Sequence, residues 1–329
     1  MRPQDPPFTV HLEPTEGCTL ACSFCALQSI RDNGADAATG THGQRSDPYR
    51  FMSVALAQRI AGEVARLGWN PRIEFTGRGE PTVNPELPAI VRAFRDALPK
   101  ASILVTSNGS GVMSVDRVRA LFDAGVNTLA LDDYSHATFV GKIRERVLPE
   151  LELIDGIPVH TYPDDRDASP HGRYFKRRIV IIRDIAELTT GNHQLTNQGG
   201  NSVPGDDTLP LQQRCAKPFR EFSIRWDGNV AVCCDDWRGV YKIANVNKLP
   251  LDEVWNHPRW QAARTLLYAA DRAALAPCNV CNVRTYRNGL LPDKYGKHPM
   301  AAPTQATRTL AAGAMAGKVF SIKLAKGDK

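Results

Sequence analysis

No apolar run in the 329-residue chain approaches membrane-spanning length, and the opening "MRPQDPPFTV" lacks the charged-then-apolar layout of a signal peptide. These absences argue against a helical membrane protein and a secreted one, and predict a cytoplasmic home with a reducing environment. Internal repeats are missing, so neither a solenoid nor a propeller is expected. Cysteine is absent for about 190 residues between Cys25 and Cys215. The eight cysteines therefore fall into two groups: Cys18, Cys22 and Cys25 near the start, and Cys215, Cys233, Cys234, Cys278 and Cys281 in the last third. In a reducing environment such groups favour metal or redox chemistry over disulfides, and their separation predicts two sites in two domains.

What is present is ordinary for a globular chain, with 42% hydrophobic and 23% charged residues. The length has room for one large domain and a smaller one. A net charge of +6 permits a DNA or RNA partner without demanding one. The segments "KRR" (176–178) and "RTYRNG" (284–289) are those such a partner would use; a solvated basic surface is the plainer reading.

Six segments read as strands: "FTVHLEP" (8–14), "RIEFTG" (72–77), "SILVTSNG" (102–109), "TLALDDY" (128–134), "IPVHTYP" (157–163) and "KRRIVIIRDI" (176–185). Helical patterns over 53–68, 84–98 and 114–125 alternate with them. Ser53 is placed to cap the first, and Gly68 and Gly125 to close the first and third. The alternation predicts an α/β fold, a partial (β/α)6 TIM-type barrel with its chemistry at the carboxyl ends of the strands. Beyond it, "EFSIRWDGNVAVCC" reads as a hairpin around Asp227-Gly228, followed by an amphipathic helix over 251–274. The expected domains are a barrel at 1–188, a linker or lid at 189–213, a hairpin-plus-helix auxiliary domain at 214–300 and a C-terminal tail at 301–329.

The stretch "EGCTLACSFC" sets three thiols at C-x3-C-x2-C directly after the first strand. Three thiolates bind three irons of a [4Fe–4S] cubane and leave the fourth iron open to a chelating molecule. A closed zinc site would need a fourth donor, which His11 or Glu16 could supply.

This spacing, with Phe24 before the last cysteine, resembles the signature of the radical S-adenosylmethionine (radical SAM) superfamily. "TGRGEP" after the second strand and "TSNG" after the third resemble two further stretches of that family, in the same order. The resemblance covers about 8–190. It implies a SAM-binding [4Fe–4S] cluster on Cys18, Cys22 and Cys25, reductive cleavage of SAM and hydrogen abstraction by a 5′-deoxyadenosyl radical. It further implies SAM contacts from Phe24, Gly77, Arg78, Gly79, Glu80, Ser107 and Asn108. Arg78 stands where the family commonly has a third glycine. Asp132 and Asp133 are equal candidates for touching SAM or substrate, or for capping the next helix, and Tyr134 beside them is a candidate catalytic residue.

The later cysteines, C-x12-G-x4-C and then C-x2-C, resemble the SPASM/twitch extension of radical SAM enzymes. The resemblance implies one auxiliary [4Fe–4S] cluster on Cys215, Cys233, Cys278 and Cys281. Neighbours in a strand point to opposite faces, so Cys234 is left over, either as packing or as a hydrogen-atom donor or redox thiol near the substrate. The implied enzyme acts on a small molecule or peptide with a flavodoxin- or ferredoxin-type reductant and no membrane. Radical modification of a nucleobase in DNA or RNA is the alternative within the class. A non-catalytic, zinc-containing nucleic-acid-binding protein is the alternative outside it, and it has no use for "TGRGEP" or "TSNG".

Overall fold

The computed structural model describes residues 5–22, 24–27, 49–134, 137–170, 172–183, 196–202, 208–284 and 302–315. Much of the expected linker or lid, most of "RTYRNG" and the end of the tail lie outside the described residues.

A nine-stranded sheet organises the chain. Its strands are β1 (Thr9–Leu12), β4 (Arg72–Phe75), β5 (Ile103–Ser107), β6 (Thr128–Asp132), β7 (Val159–Tyr162), β8 (Arg178–Ile182), β9 (Glu221–Ile224), β10 (Asn229–Ala231) and β11 (Lys242–Asn245). β2 (Thr15–Glu16) and β3 (Arg50–Phe51) form a separate two-stranded sheet. The order is β11-β10-β9-β1-β4-β5-β6-β8-β7, parallel from β9 through to β7 and antiparallel at β9-β10-β11. This is the expected α/β partial barrel, with one difference in order. β8 lies inside β7 rather than beyond it. Composition gives the reason: "RIVII" is apolar on both faces and suits an internal parallel strand, whereas "VHTY" is half-buried along its length, as an edge strand can be.

Alternation along the strands separates two surfaces. Val10, Leu12, Ile73, Phe75, Ile103, Val105, Leu129, Leu131, Ile179 and Ile181 enter one apolar core beneath the helices. The intervening residues, among them His11, Glu74, Thr128 and Asp132, turn to the other, more polar face. Helices Val54–Arg66, Leu87–Ala97 and Val115–Ala124 cover the apolar side. Ser53 caps the first through Leu56 N at 3.2 Å, and the third ends at Gly125 with φ 119°.

The C-terminal hairpin continues the barrel sheet, because β9 pairs in parallel with β1. The expected long helix after it is two, Leu251–Trp255 and Pro258–Tyr268, since Pro258 cannot donate to a preceding turn and instead opens the second. Phe222, Trp255 and Trp260 pack together at ring distances of 4.6 to 5.4 Å and weld these helices to the hairpin. Gln305–Met315 is a helix that buries Ala311 and Ala314, with Met315 Sδ 3.1 Å from Ala276 N. No helix among the described residues is long and apolar enough to cross a membrane.

Candidate functional site

Cys18, Cys22 and Cys25 lie on the loop after β2, beside the carboxyl ends of the barrel strands. No disulfide joins any of the eight cysteines. Burial, and then the neighbouring Cys25 and Cys18, push the Cys22 thiol up to about 12. Three thiols crowded this way are hard to ionise alone, and bound iron would relieve that strain while taking them as thiolates. Leu20 N and Asn108 Nδ2 each lie 3.4 Å from Cys18 Sγ, donors suited to a metal-bound sulfur. The proposed fourth zinc donors are engaged elsewhere. His11 stands between Glu74 and Glu221, and Glu16 pairs with Arg78 and Arg50.

The "TGRGEP" turn docks against this loop. Gly17 N donates to Arg78 O at 3.0 Å and Glu80 N to Gly17 O at 2.9 Å. A Cβ on Gly79 would overlap the backbone of Thr15 and Gly17, so the glycine is needed for loop-on-loop packing. Gly77 holds φ 136° with its open side against Glu13. Glu80 turns inward. Its carboxylate accepts Ser107 Oγ at 2.7 Å, Asn108 N at 2.7 Å, Thr82 N at 3.0 Å and the Thr82 hydroxyl. This carboxylate ties "GEP" to "TSNG". Burial raises its pKa against those donors.

Arg78 also turns inward. It is 3% exposed and pairs with Glu13 through Nε at 2.8 Å and Nη2 at 2.9 Å. It also contacts Glu16 and donates to Trp237 O at 3.0 Å, in the loop after Cys233 and Cys234. Glu13 as its counter-ion was not singled out from sequence; an arginine at an expected glycine position is the signal that called for one.

Past β6 the two aspartates separate. Asp132 is among the charges acting on Cys22 and on Tyr134. Asp133 points outward to Arg144 at 3.2 Å. The rings of Tyr134 and Phe24 lie 5.7 Å apart, forming an aromatic wall beside the cysteine loop. Burial, and then Asp132 and the three cysteines, raise the Tyr134 phenol well above its ordinary value.

The second cysteine group is buried. Cys215, Cys233, Cys278 and Cys281 are each 7 to 8% exposed. After burial itself, Cys278 is raised by Cys215 and Cys281, and Cys281 by Cys215 among others, while Cys278 also acts on Cys233. Cys234 faces a different set: Lys217 Nζ at 2.9 Å, and Glu221 and Asp235 oxygens at 3.7 Å.

Residues 196–202, within the expected linker, touch both cysteine regions. Gln198 Oε1 accepts Ala26 N at 2.7 Å, Ser202 donates to Phe24 O, and Asn197 Nδ2 donates to Val280 O at 2.7 Å. Beside the second cysteine group, His11, Gly77, Arg78, Ser223, Cys233 and Cys234 line one cavity. Of "KRR", Arg178 is spent inside, stacked on Tyr174 at 3.9 Å and donating to Thr128 Oγ1 at 3.1 Å, which removes it from any basic surface.

Comparison with known proteins matches residues 12–136 to the radical SAM superfamily and residues 215–282 to SPASM, an iron–sulfur cluster-binding domain. The S-adenosyl-L-methionine-dependent 2-deoxy-scyllo-inosamine dehydrogenase of Niallia circulans is 22% identical over 83% of this chain and 92% of its own. A GTP 3′,8-cyclase of Tolumonas auensis is 28% identical over 45% of this chain, a match that spans only 39% of the cyclase. The crystal structure of BtrN in complex with AdoMet and 2-DOIA shares the fold, with a TM-score of 0.62, 18% identity and coverage of 85% of this chain and 94% of that one. The chain is a radical SAM superfamily protein with a C-terminal SPASM iron–sulfur domain.

Proposed function

We propose that this chain is a radical SAM dehydrogenase that oxidises a secondary alcohol of a small polyhydroxylated molecule to a ketone. The observation that carries this reading is a cavity lined by Cys233 and Cys234 of the second cysteine group and by Gly77 and Arg78 of the turn that docks on the first cysteine loop. A substrate there would meet a hydrogen-atom acceptor on one side and an electron acceptor on the other. The near full-length match to a SAM-dependent dehydrogenase supports the same reaction type.

Cys18, Cys22 and Cys25 would hold the SAM-binding [4Fe–4S] cluster, and Cys215, Cys233, Cys278 and Cys281 the auxiliary one. When bound, the cofactors supply a 5′-deoxyadenosyl radical and a one-electron sink. The protein's own residues position and shield. Gly79 lets the cysteine loop lie flat on the turn, and the Glu80 carboxylate fixes Ser107 and Asn108. Asn108 reaches Cys18 and Thr19. Phe24 and Tyr134 exclude water from that side. Asp132, rather than the outward-facing Asp133, would meet SAM or substrate. A flavodoxin- or ferredoxin-type protein would supply the electron for SAM cleavage.

The test is anaerobic incubation of cluster-loaded protein with SAM, a reductant and a panel of aminocyclitols and sugars. The reading expects a ketone two hydrogens lighter than its alcohol, formed one for one with 5′-deoxyadenosine. A product of unchanged mass would replace dehydrogenation by isomerisation.

A further inference from the structure

Arg272 is a buried cation beside the second cysteine group, 1% exposed in the short helical turn Arg272–Ala274. Its guanidinium donates to four backbone carbonyls. Nε reaches Gln213 O at 3.0 Å, Nη1 reaches Cys281 O at 3.4 Å, and Nη2 reaches Arg214 O at 3.4 Å and Val283 O at 3.1 Å. Gln213 and Arg214 immediately precede Cys215, and Val283 follows Cys281 by two residues. The side chain thus clamps the two segments that carry Cys215 and Cys281.

All four partners are neutral, and among the described residues neither a carboxylate nor an aromatic ring is paired with Arg272. Nearby cations are met differently. Lys217 lies 2.9 Å from Cys234 Sγ, but it shares its charge with Asp235 at 2.8 Å and Glu221 at 3.4 Å. Arg264, also buried, stacks over Trp255 and Trp260 at 4.1 and 5.0 Å. An arginine stays ionised when buried, and a buried charge held only by carbonyl dipoles calls for an anion.

The four cysteines supply one once they hold iron. Four thiolates on a [4Fe–4S]2+ core carry a net charge of about −2, and about −3 after one-electron reduction. Burial raises the Cys215, Cys278 and Cys281 thiols, and Arg272 opposes that rise at all three. Its charge therefore acts on the sulfurs themselves.

We propose that Arg272 is the counter-charge of the auxiliary cluster, holding it in place and raising the potential at which it takes up an electron. This rests on the reading of Cys215, Cys233, Cys278 and Cys281 as the auxiliary-cluster ligands. A fixed positive charge in a buried setting favours the more negative, reduced form, and that bias suits the electron acceptor a dehydrogenase requires.

A clamp for carbonyls needs only donors, whereas a counter-charge needs the charge. The test is therefore an EPR-monitored redox titration of cluster-loaded wild-type, Arg272→Lys and Arg272→Gln proteins. The auxiliary signal is the one that added SAM leaves unchanged. At the wild-type midpoint, Arg272→Gln should lower the ratio of reduced to oxidised auxiliary cluster about tenfold, a midpoint about 59 mV lower for one electron. Arg272→Lys keeps the charge with fewer hydrogen bonds, and its ratio should stay within about twofold of wild type. Equal midpoints in wild type and Arg272→Gln, or equal shifts in both variants, would leave only a clamp and overturn the proposal. Should Arg272→Gln hold too little auxiliary iron to titrate, Arg272→Lys decides: iron retained there supports the charge, and loss from both variants alike overturns it. If wild-type protein shows no signal indifferent to SAM, the auxiliary-cluster reading itself fails and the proposal falls with it.

Discussion

Arg78 and Glu13 form a buried ion pair, with Arg78 Nε and Nη2 at 2.8 and 2.9 Å from the two carboxylate oxygens and Arg78 N at 3.1 Å from Oε2. The pair spans β1 and the turn after β4, and through Trp237 O it reaches the loop that follows Cys233 and Cys234. It thus connects the loops of both cysteine groups. Removing one partner of a buried pair strands the other, so Arg78→Ala should cost about 3–5 kcal/mol of stability, read from denaturant unfolding of the cluster-loaded protein. A loss below about 1 kcal/mol would show that the pair is solvated and does not fasten the loops.

Glu16 shares this cluster and gives it a pH signature. Burial first, opposed by Arg78 and reinforced by Glu13, raises its carboxyl to about 7. Its unfolded value is about 4.3. The folded state therefore holds the proton more tightly, so this contribution to stability is greatest below the unfolded value and is lost as pH rises toward 7. Glu16→Gln should flatten that slope between about pH 5 and pH 7, as measured by denaturant midpoints across the range. An unchanged slope would assign it to another group.

Gly79→Ala should disturb the first cysteine group, because the added carbon meets the backbone of Thr15 and Gly17. About four of an expected eight irons should be lost or become labile, with the auxiliary cluster kept. Full iron content, together with wild-type SAM cleavage, would mean that the loop can give way.

How much of this was legible beforehand depended on whether a signal was local. Strand-then-cysteine, strand-then-"TGRGEP" and strand-then-"TSNG" are contiguous patterns, and the structure brings all three together at the carboxyl ends of β1, β4 and β5. The placement of β8 inside β7 is set by pairing across the sheet, and only the two-faced apolar run of "RIVII" hinted at it. Glu80 and Arg78 were readable as special positions but not as inward-facing ones, since their partners Ser107, Asn108 and Glu13 lie 27, 28 and 65 residues away. His11 and Ser223, separated by most of the chain, stand in register only because β9 returns to pair with β1.

Cys233 and Cys234 should separate cleanly. Cys233→Ala should lose or destabilise the auxiliary cluster, whereas Cys234→Ala should keep about eight irons, since Lys217 and not the cysteine group faces its sulfur. The reverse result in iron analysis would mean that the strand end is rotated by one residue.

SAM cleavage by this chain would take place at a cluster on its first three cysteines. The direct measurement is 5′-deoxyadenosine formation by anaerobically prepared protein with SAM and a reductant, compared between wild type and a Cys18, Cys22 and Cys25 triple alanine variant. Wild type should carry about eight irons and form 5′-deoxyadenosine, and the variant should keep about four irons and form none. Colourless protein with stoichiometric zinc, or 5′-deoxyadenosine formed equally well by the triple variant, would contradict the account.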